Sequence, residues 1–72
     1  MIEVFRTNVT RKKASKRIRE QLLEILPGAF IHFDLEDCDK ILRIERREQP
    51  IDVLRVIEWM KKTGFECELL ND

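Results

Sequence analysis

The chain has 72 residues and a mass of 8.7 kDa, with 14 basic and 14 acidic side chains and a formal net charge of zero. This length accommodates one small domain, so residues 1–72 are expected to form a single domain, and 43% apolar residues are enough for its core. No apolar run is long enough for a membrane span or a secretory signal, and two cysteines make no disulfide framework. We therefore expect a cytoplasmic protein without membrane contact.

The first third of the sequence predicts a strand followed by a helix. Residues 2–9 mix β-branched and aromatic side chains with charged ones, which is typical of a strand. From Thr10 the period changes to that of a helix, with Thr10 as its expected N-cap and with Pro27 and Gly28 ending it. The apolar face of this helix is expected to contain Ala14, Ile18, Leu22 and Ile25.

The middle of the sequence predicts a β-hairpin. Residues 29–35 alternate, with one set expected to face inward and the other outward, and residues 36–39 form a short polar turn. Residues 40–46 resume the alternation, with Leu42 and Ile44 on one face. These two strands are therefore expected to pair with each other.

The last third predicts a second helix and a fourth strand. Pro50 is expected at the first helical position, with Asp52 near the positive end of the helix dipole and Gly64 directly after the last turn. Residues 65–69 alternate as a strand does. The buried stripe of this helix is expected to contain Val53, Leu54, Val56, Ile57 and Met60.

This order of elements, βαββαβ, is that of the ferredoxin-like fold, an α+β two-layer sandwich. Such a fold has a four-stranded antiparallel sheet with strand order 4-1-3-2 and two helices on one face. We predict this architecture for the whole chain.

Four short segments carry a resemblance to a known family. They are Asn8-Val9 at the end of the first strand, Leu26-Pro27-Gly28 at the end of the first helix, Ile31-x-Phe33-Asp34-Leu35-Glu36, and Thr63-Gly64-Phe65-x-Cys67. These segments are spread over nearly the whole chain, and through them it resembles the heavy-metal-associated domains of small copper chaperones and P-type ATPases. The resemblance implies the same fold as the periodicity does.

The metal site of that family has no counterpart in this sequence. The family binds a soft metal ion through two thiolates of a Met-x-Cys-x-x-Cys loop between the first strand and the first helix. Residues 9–15 occupy that place here, and they contain no cysteine. We therefore expect no bound metal at this loop and no other cofactor.

Basic residues replace the expected thiolates. Seven Lys or Arg residues and no acidic residue lie between Arg6 and Arg19, both included. Several fall in the first turn of the helix, whose free N–H groups already carry partial positive charge, so this region attracts anions and repels cations. The candidate contacts for an anionic ligand or an acidic partner are Thr10, Arg11, Lys12, Lys13 and Lys16. The alternative is a solvated helix end whose charge is balanced by nearby acids.

A second candidate surface is the sheet face without helices. The topology predicts one apolar patch there, formed by Phe5, Phe30, His32 and Ile41. Open sheet faces are normally more polar, so this patch is a candidate interface for a protein partner or for a homodimer. The alternative is a set of scattered exposed apolar side chains.

Other chemistries have weaker support in the sequence. Cys38, Cys67 and His32 leave open a divergent metal-handling protein, although His32 has no second ligand at a suitable spacing. The chain has no nucleophile and base pair at plausible positions and no glycine-rich phosphate loop, so we do not expect an enzyme. Nucleic-acid or nucleotide binding remains a further alternative, disfavoured by the few aromatic residues on the central strands. The main hypothesis is a small binding or regulatory module that acts through protein or anion contacts.

Overall fold

The computed structural model describes residues 1–70, which form one sheet of four strands and two helices. The elements in chain order are β1 (Ile2–Thr7), α1 (Lys12–Ile25), β2 (Phe30–Asp34), β3 (Ile41–Glu45), α2 (Val53–Lys62) and β4 (Cys67–Leu69). The α+β class and all six predicted elements are confirmed. Neither α1 nor α2 is both long and apolar enough to cross a membrane.

The sheet is antiparallel throughout, with the strand order β2-β3-β1-β4. This is the predicted order, read from the other edge. The two central strands, β1 and β3, are paired on both sides, whereas β2 and β4 form the edges. Side chains from both helices and from one face of the sheet share a single core.

The core contains eleven apolar residues from every part of this fold except β4. They are Phe5, Val9, Ile18, Leu22, Leu26, Ala29, Ile31, Leu42, Ile44, Val56 and Met60. The predicted inward face of the hairpin is confirmed for Leu42 and Ile44. Leu54, by contrast, was expected in the buried stripe of the second helix and is 71% exposed.

The orientation predicted for Phe5 is wrong. Phe5 is fully buried in the core, on the face that packs against the helices, and it does not belong to the open face. The register explains this, because Phe5 lies opposite Leu42, and Leu42 also points inward. The same face of β1 carries Thr7, whose hydroxyl donates to the carbonyl of Lys40 and accepts from the N–H of Val9. With its one polar group satisfied, Thr7 can be buried beside Phe5.

Both helices begin later than the sequence predicts. The N-cap of α1 is Arg11 and not Thr10, and the Arg11 side chain makes no capping hydrogen bond. Pro50 lies before α2 and not in its first turn, because Asp52 is the N-cap, and its carboxylate accepts from the N–H of Arg55. At the other end, Gly64 has a φ of 95°, and the N–H of Phe65 donates to the carbonyl of Met60. The predicted glycine stop of this helix is confirmed.

The opposite environments of two phenylalanines generate a stability prediction. Phe5→Ala removes a fully buried ring and should lower the free energy of unfolding by about 3–5 kcal/mol. Phe30→Ala removes a ring that is 58% exposed and should cost less than about 1 kcal/mol. Urea unfolding of the two variants and the parent chain measures both effects. Equal losses from the two substitutions would contradict the orientation of β1 described above.

Candidate functional site

The first half of α1 presents the cationic surface that the sequence predicts. Thr10, Arg11, Lys12, Lys13 and Lys16 are all exposed. Arg11 has an extended backbone, and the first helical hydrogen bond runs from the N–H of Ser15 to the carbonyl of Arg11. The N–H groups of residues 12–14 consequently have no partner within the helix. The first turn contains no acidic residue that would offset their partial positive charge.

Among the residues that the structure describes, no acidic side chain forms an ion pair with these cations. Within residues 1–70, the only ion pairs shorter than 4.0 Å join Arg6 to Asp39, at 3.8 Å, and to Glu68, at 3.4 Å. Of the seven basic residues between positions 6 and 19, Arg6 is therefore the one that has a carboxylate partner among residues 1–70. The six on and before α1 form a cationic surface open to solvent, which we call the basic surface: Arg11, Lys12, Lys13, Lys16, Arg17 and Arg19.

A groove separates this helix from edge strand β2, and sequence reasoning missed it. Its helix side is lined by Lys12, Ser15, Lys16 and Arg19, and its strand side by His32, Phe33, Asp34, Leu35 and Glu36. Lys12, Lys16 and Arg19 follow one another at helical spacing, which places them on one stripe of α1. The sequence alone shows this spacing, but it does not show which strand lies beside the stripe. We call this feature the α1–β2 groove.

The open sheet face is less apolar than predicted. Phe30, His32 and Ile41 lie on it, but Phe5 does not, and Arg43 stands between β1 and β2 opposite His32. The guanidinium of Arg47 lies 5.7 Å from the centre of the Phe30 ring. Since β1 is turned the other way, its outward residues are Ile2, Val4 and Arg6. Charged side chains therefore separate the apolar ones, and the continuous patch does not form.

The two cysteines occupy different environments and lie in different parts of the fold. Cys38 is exposed in the loop between β2 and β3, where possible ligand atoms of Asp37, Cys38 and Asp39 lie within 4.8 Å of one another. The backbone N–H of Asp39 donates to the Asp37 carboxylate, and Asp39 also pairs with Arg6, so both carboxylates already have structural partners. Neither His32 nor Cys67 joins this cluster. Burial raises the pKa of the Cys67 thiol to about 12.

Comparison of the chain with protein-family models, with curated proteins and with solved structures found no match. No relative therefore supplies a ligand or a partner for this chain. Its own surfaces carry the functional proposal, and the basic surface is the one that gathers charges of one sign.

The cysteine environments predict unequal thiol reactivity. Cys38 should react with Ellman's reagent at the rate of an exposed thiol, and Cys67 should react much more slowly, because it is partly buried and its thiolate is scarce below its raised pKa. The Cys67 rate should increase as the pH approaches that pKa. In Cys38→Ser only the slow reaction should remain, and a fast reaction in this variant would contradict the placement of Cys67.

The uncapped start of α1 predicts a stabilising substitution. Arg11→Asp supplies the missing N-cap carboxylate and removes a cation from the positive end of the helix dipole, so the free energy of unfolding should rise by about 1 kcal/mol. Thr10→Asp also adds a negative charge but lies one residue outside the cap, and its gain should be smaller. Urea unfolding distinguishes the two variants. A larger gain from Thr10→Asp would mean that the helix begins one residue earlier.

Proposed function

We propose that this chain is a small protein-binding module of the ferredoxin-like type, which uses its basic surface to contact an acidic partner. In this proposal the domain has the architecture of heavy-metal-associated domains, but it binds an acidic partner and not a metal ion. The contacts come from Thr10, Arg11, Lys12, Lys13 and Lys16. The two free thiols fit the reducing environment of the cytoplasm.

One observation carries this proposal: the cations of the basic surface are exposed and have no carboxylate partner in the described part of the chain, residues 1–70. The chain has as many acidic as basic residues, so the absence of ion pairs here reflects their placement and not a shortage of acids. Charges of one sign gathered on one surface attract a partner of the opposite sign and accelerate its encounter. This favours an acidic partner over the alternative of a locally balanced helix end.

The same charge distribution favours a binding role over metal handling. A metal ion that approached the start of α1 would meet ammonium and guanidinium groups, together with N–H groups that lack helical partners. These groups repel a cation and hold an anion. The proposed module therefore acts by binding, with no catalytic step and no cofactor.

The proposal predicts salt-sensitive binding of a polyanion. Poly-glutamate added at low salt should shift the NMR signals of residues 10–16, and the shifts should largely disappear at high salt because the charges are screened. The double variant Lys12→Gln/Lys13→Gln should bind at least about fivefold more weakly, which corresponds to roughly 1 kcal/mol. The matched control is Arg47→Gln/Arg55→Gln, which removes two exposed charges near the end of β3 and the start of α2, at the opposite end of the sheet from the start of α1, and should bind as the parent does.

Three results would contradict the proposal. Poly-glutamate that left residues 10–16 unshifted at low salt would remove the anionic contact. Saturable binding of zinc or copper(I), lost in Cys38→Ser, would favour the metal-handling alternative. Binding of a single-stranded oligonucleotide much more tightly than poly-glutamate, with shifts on the open sheet face, would favour the nucleic-acid alternative.

A further inference from the structure

Strand β2 has backbone groups that are free to pair with another strand. Met1 and Arg46 exchange two hydrogen bonds, the terminal amine to the Arg46 carbonyl at 2.6 Å and the Arg46 N–H to the Met1 carbonyl at 2.9 Å. Hydrogen-bonded pairs alternate along an antiparallel ladder, so residues 42 and 44 of β3 bond to β1, and residues 41, 43 and 45 bond to β2. On β2, the residues that bond to β3 are then 30, 32 and 34. The N–H and C=O groups of Ile31 and Phe33 point to the open edge.

Within residues 1–70, these groups have no hydrogen-bond partner. Neither Ile31 nor Phe33 makes a hydrogen bond to a loop, a helix or a side chain. Only at the end of the strand is the edge closed, where the Lys40 ammonium donates to the Leu35 carbonyl at 2.8 Å. The other edge strand, β4, has three residues, whereas β2 has five. β2 is thus the better template for an added strand.

The α1–β2 groove runs beside this open edge and carries charge of one sign along its helix side. Arg19 and Lys16 border His32 and Phe33, while Asp34 and Glu36 border the Lys12 end. Along α1, Lys12 and Lys16 are separated by about 6 Å and Lys16 and Arg19 by about 4.5 Å, whereas two strand residues span about 6.6 Å. Long basic side chains on α1 can therefore reach alternate side chains of an added strand. Residues of such a strand opposite Ile31 and Phe33 face the helix side, because both of these side chains do.

We propose that an extended acidic segment of a partner protein adds to β2 as a fifth strand, with alternate acidic side chains over Lys16 and Arg19. This inference rests on the proposed function and specifies the mode and place of that binding. Backbone pairing with Ile31 and Phe33 provides affinity, and the cations select acidic side chains at every second position. A second copy of this chain is a poorer occupant, since it would bring the same cations to the same groove.

A short capped peptide of alternating valine and glutamate tests this proposal directly. Its binding at low salt should slow amide hydrogen exchange of Ile31 and Phe33 by roughly tenfold or more, because these groups become hydrogen-bonded. The comparison peptide has the same sequence but carries N-methyl groups on the backbone nitrogens of its central glutamates, which keeps its charge and removes the N–H donors that would pair with Ile31 and Phe33. We expect it to bind at least about tenfold more weakly.

Two variants of α1 separate the groove from the rest of the basic surface. Lys16→Gln/Arg19→Gln removes two charges that line the groove, and it should weaken binding of the valine–glutamate peptide at least about fivefold. Arg17→Gln removes an exposed charge from the same helix outside the groove, at a position that is not among the proposed contacts, and should have a much smaller effect. Circular dichroism of both variants establishes that α1 is intact.

Each further outcome has a definite meaning. Equal binding of the two peptides, without protection of Ile31 and Phe33, would overturn strand addition and leave the polyanion contact of the proposed function standing. Binding by neither peptide while poly-glutamate still binds would have the same meaning. Failure of poly-glutamate itself would overturn the proposed function as well. If ultracentrifugation of the chain alone showed a dimer that the valine–glutamate peptide cannot dissociate, a second copy would be the occupant and the proposal would be wrong.

Discussion

The burial of Phe5 is the constraint on which the other features of this sheet depend. β1 is a central strand paired on both sides, so the direction of one of its side chains sets the direction of all the others. With Phe5 and Thr7 inside, Ile2, Val4 and Arg6 must lie on the open face. Arg6 is then able to pair with Asp39 on one side and Glu68 on the other, which ties both neighbouring segments to β1.

The same register determines which backbone groups remain free at the edge of the sheet. Because hydrogen-bonded pairs alternate, the pairing of β1 with β3 dictates which residues of β3 turn toward β2, and these in turn leave Ile31 and Phe33 directed outward. A shift of one residue in β1 would exchange the inner and outer sets and change the whole open face. The core and the candidate binding edge are thus specified by one set of strand pairings, although they share few side chains.

Periodicity is sufficient to predict the helices and strands and their order along the chain. It does not predict which face of a strand is buried when both faces carry apolar residues. In β1, Ile2 and Val4 have one orientation and Phe5 the other, so alternation along this strand does not select the buried face. The choice is made by packing against Leu42, a partner distant in sequence. The sequence does predict the basic surface of α1, because charged residues are expected to be exposed whatever their neighbours in the fold are. The groove was not visible, because Arg19 and Phe33 meet only in the folded chain.

The two helices of this chain differ in the caps and charges at their ends. α2 begins with a carboxylate cap at Asp52 and ends with Lys61 and Lys62, which is the arrangement that complements a helix dipole. α1 begins with an uncapped Arg11 followed by two lysines, and its last turn contains no basic residue. The missing cap, the basic first turn and the last turn without basic residues each lower the stability of α1. The basic side chains at its start do not improve the packing of the core, since they are exposed. In the proposed function, an acidic partner supplies the missing negative charge and so offsets this cost.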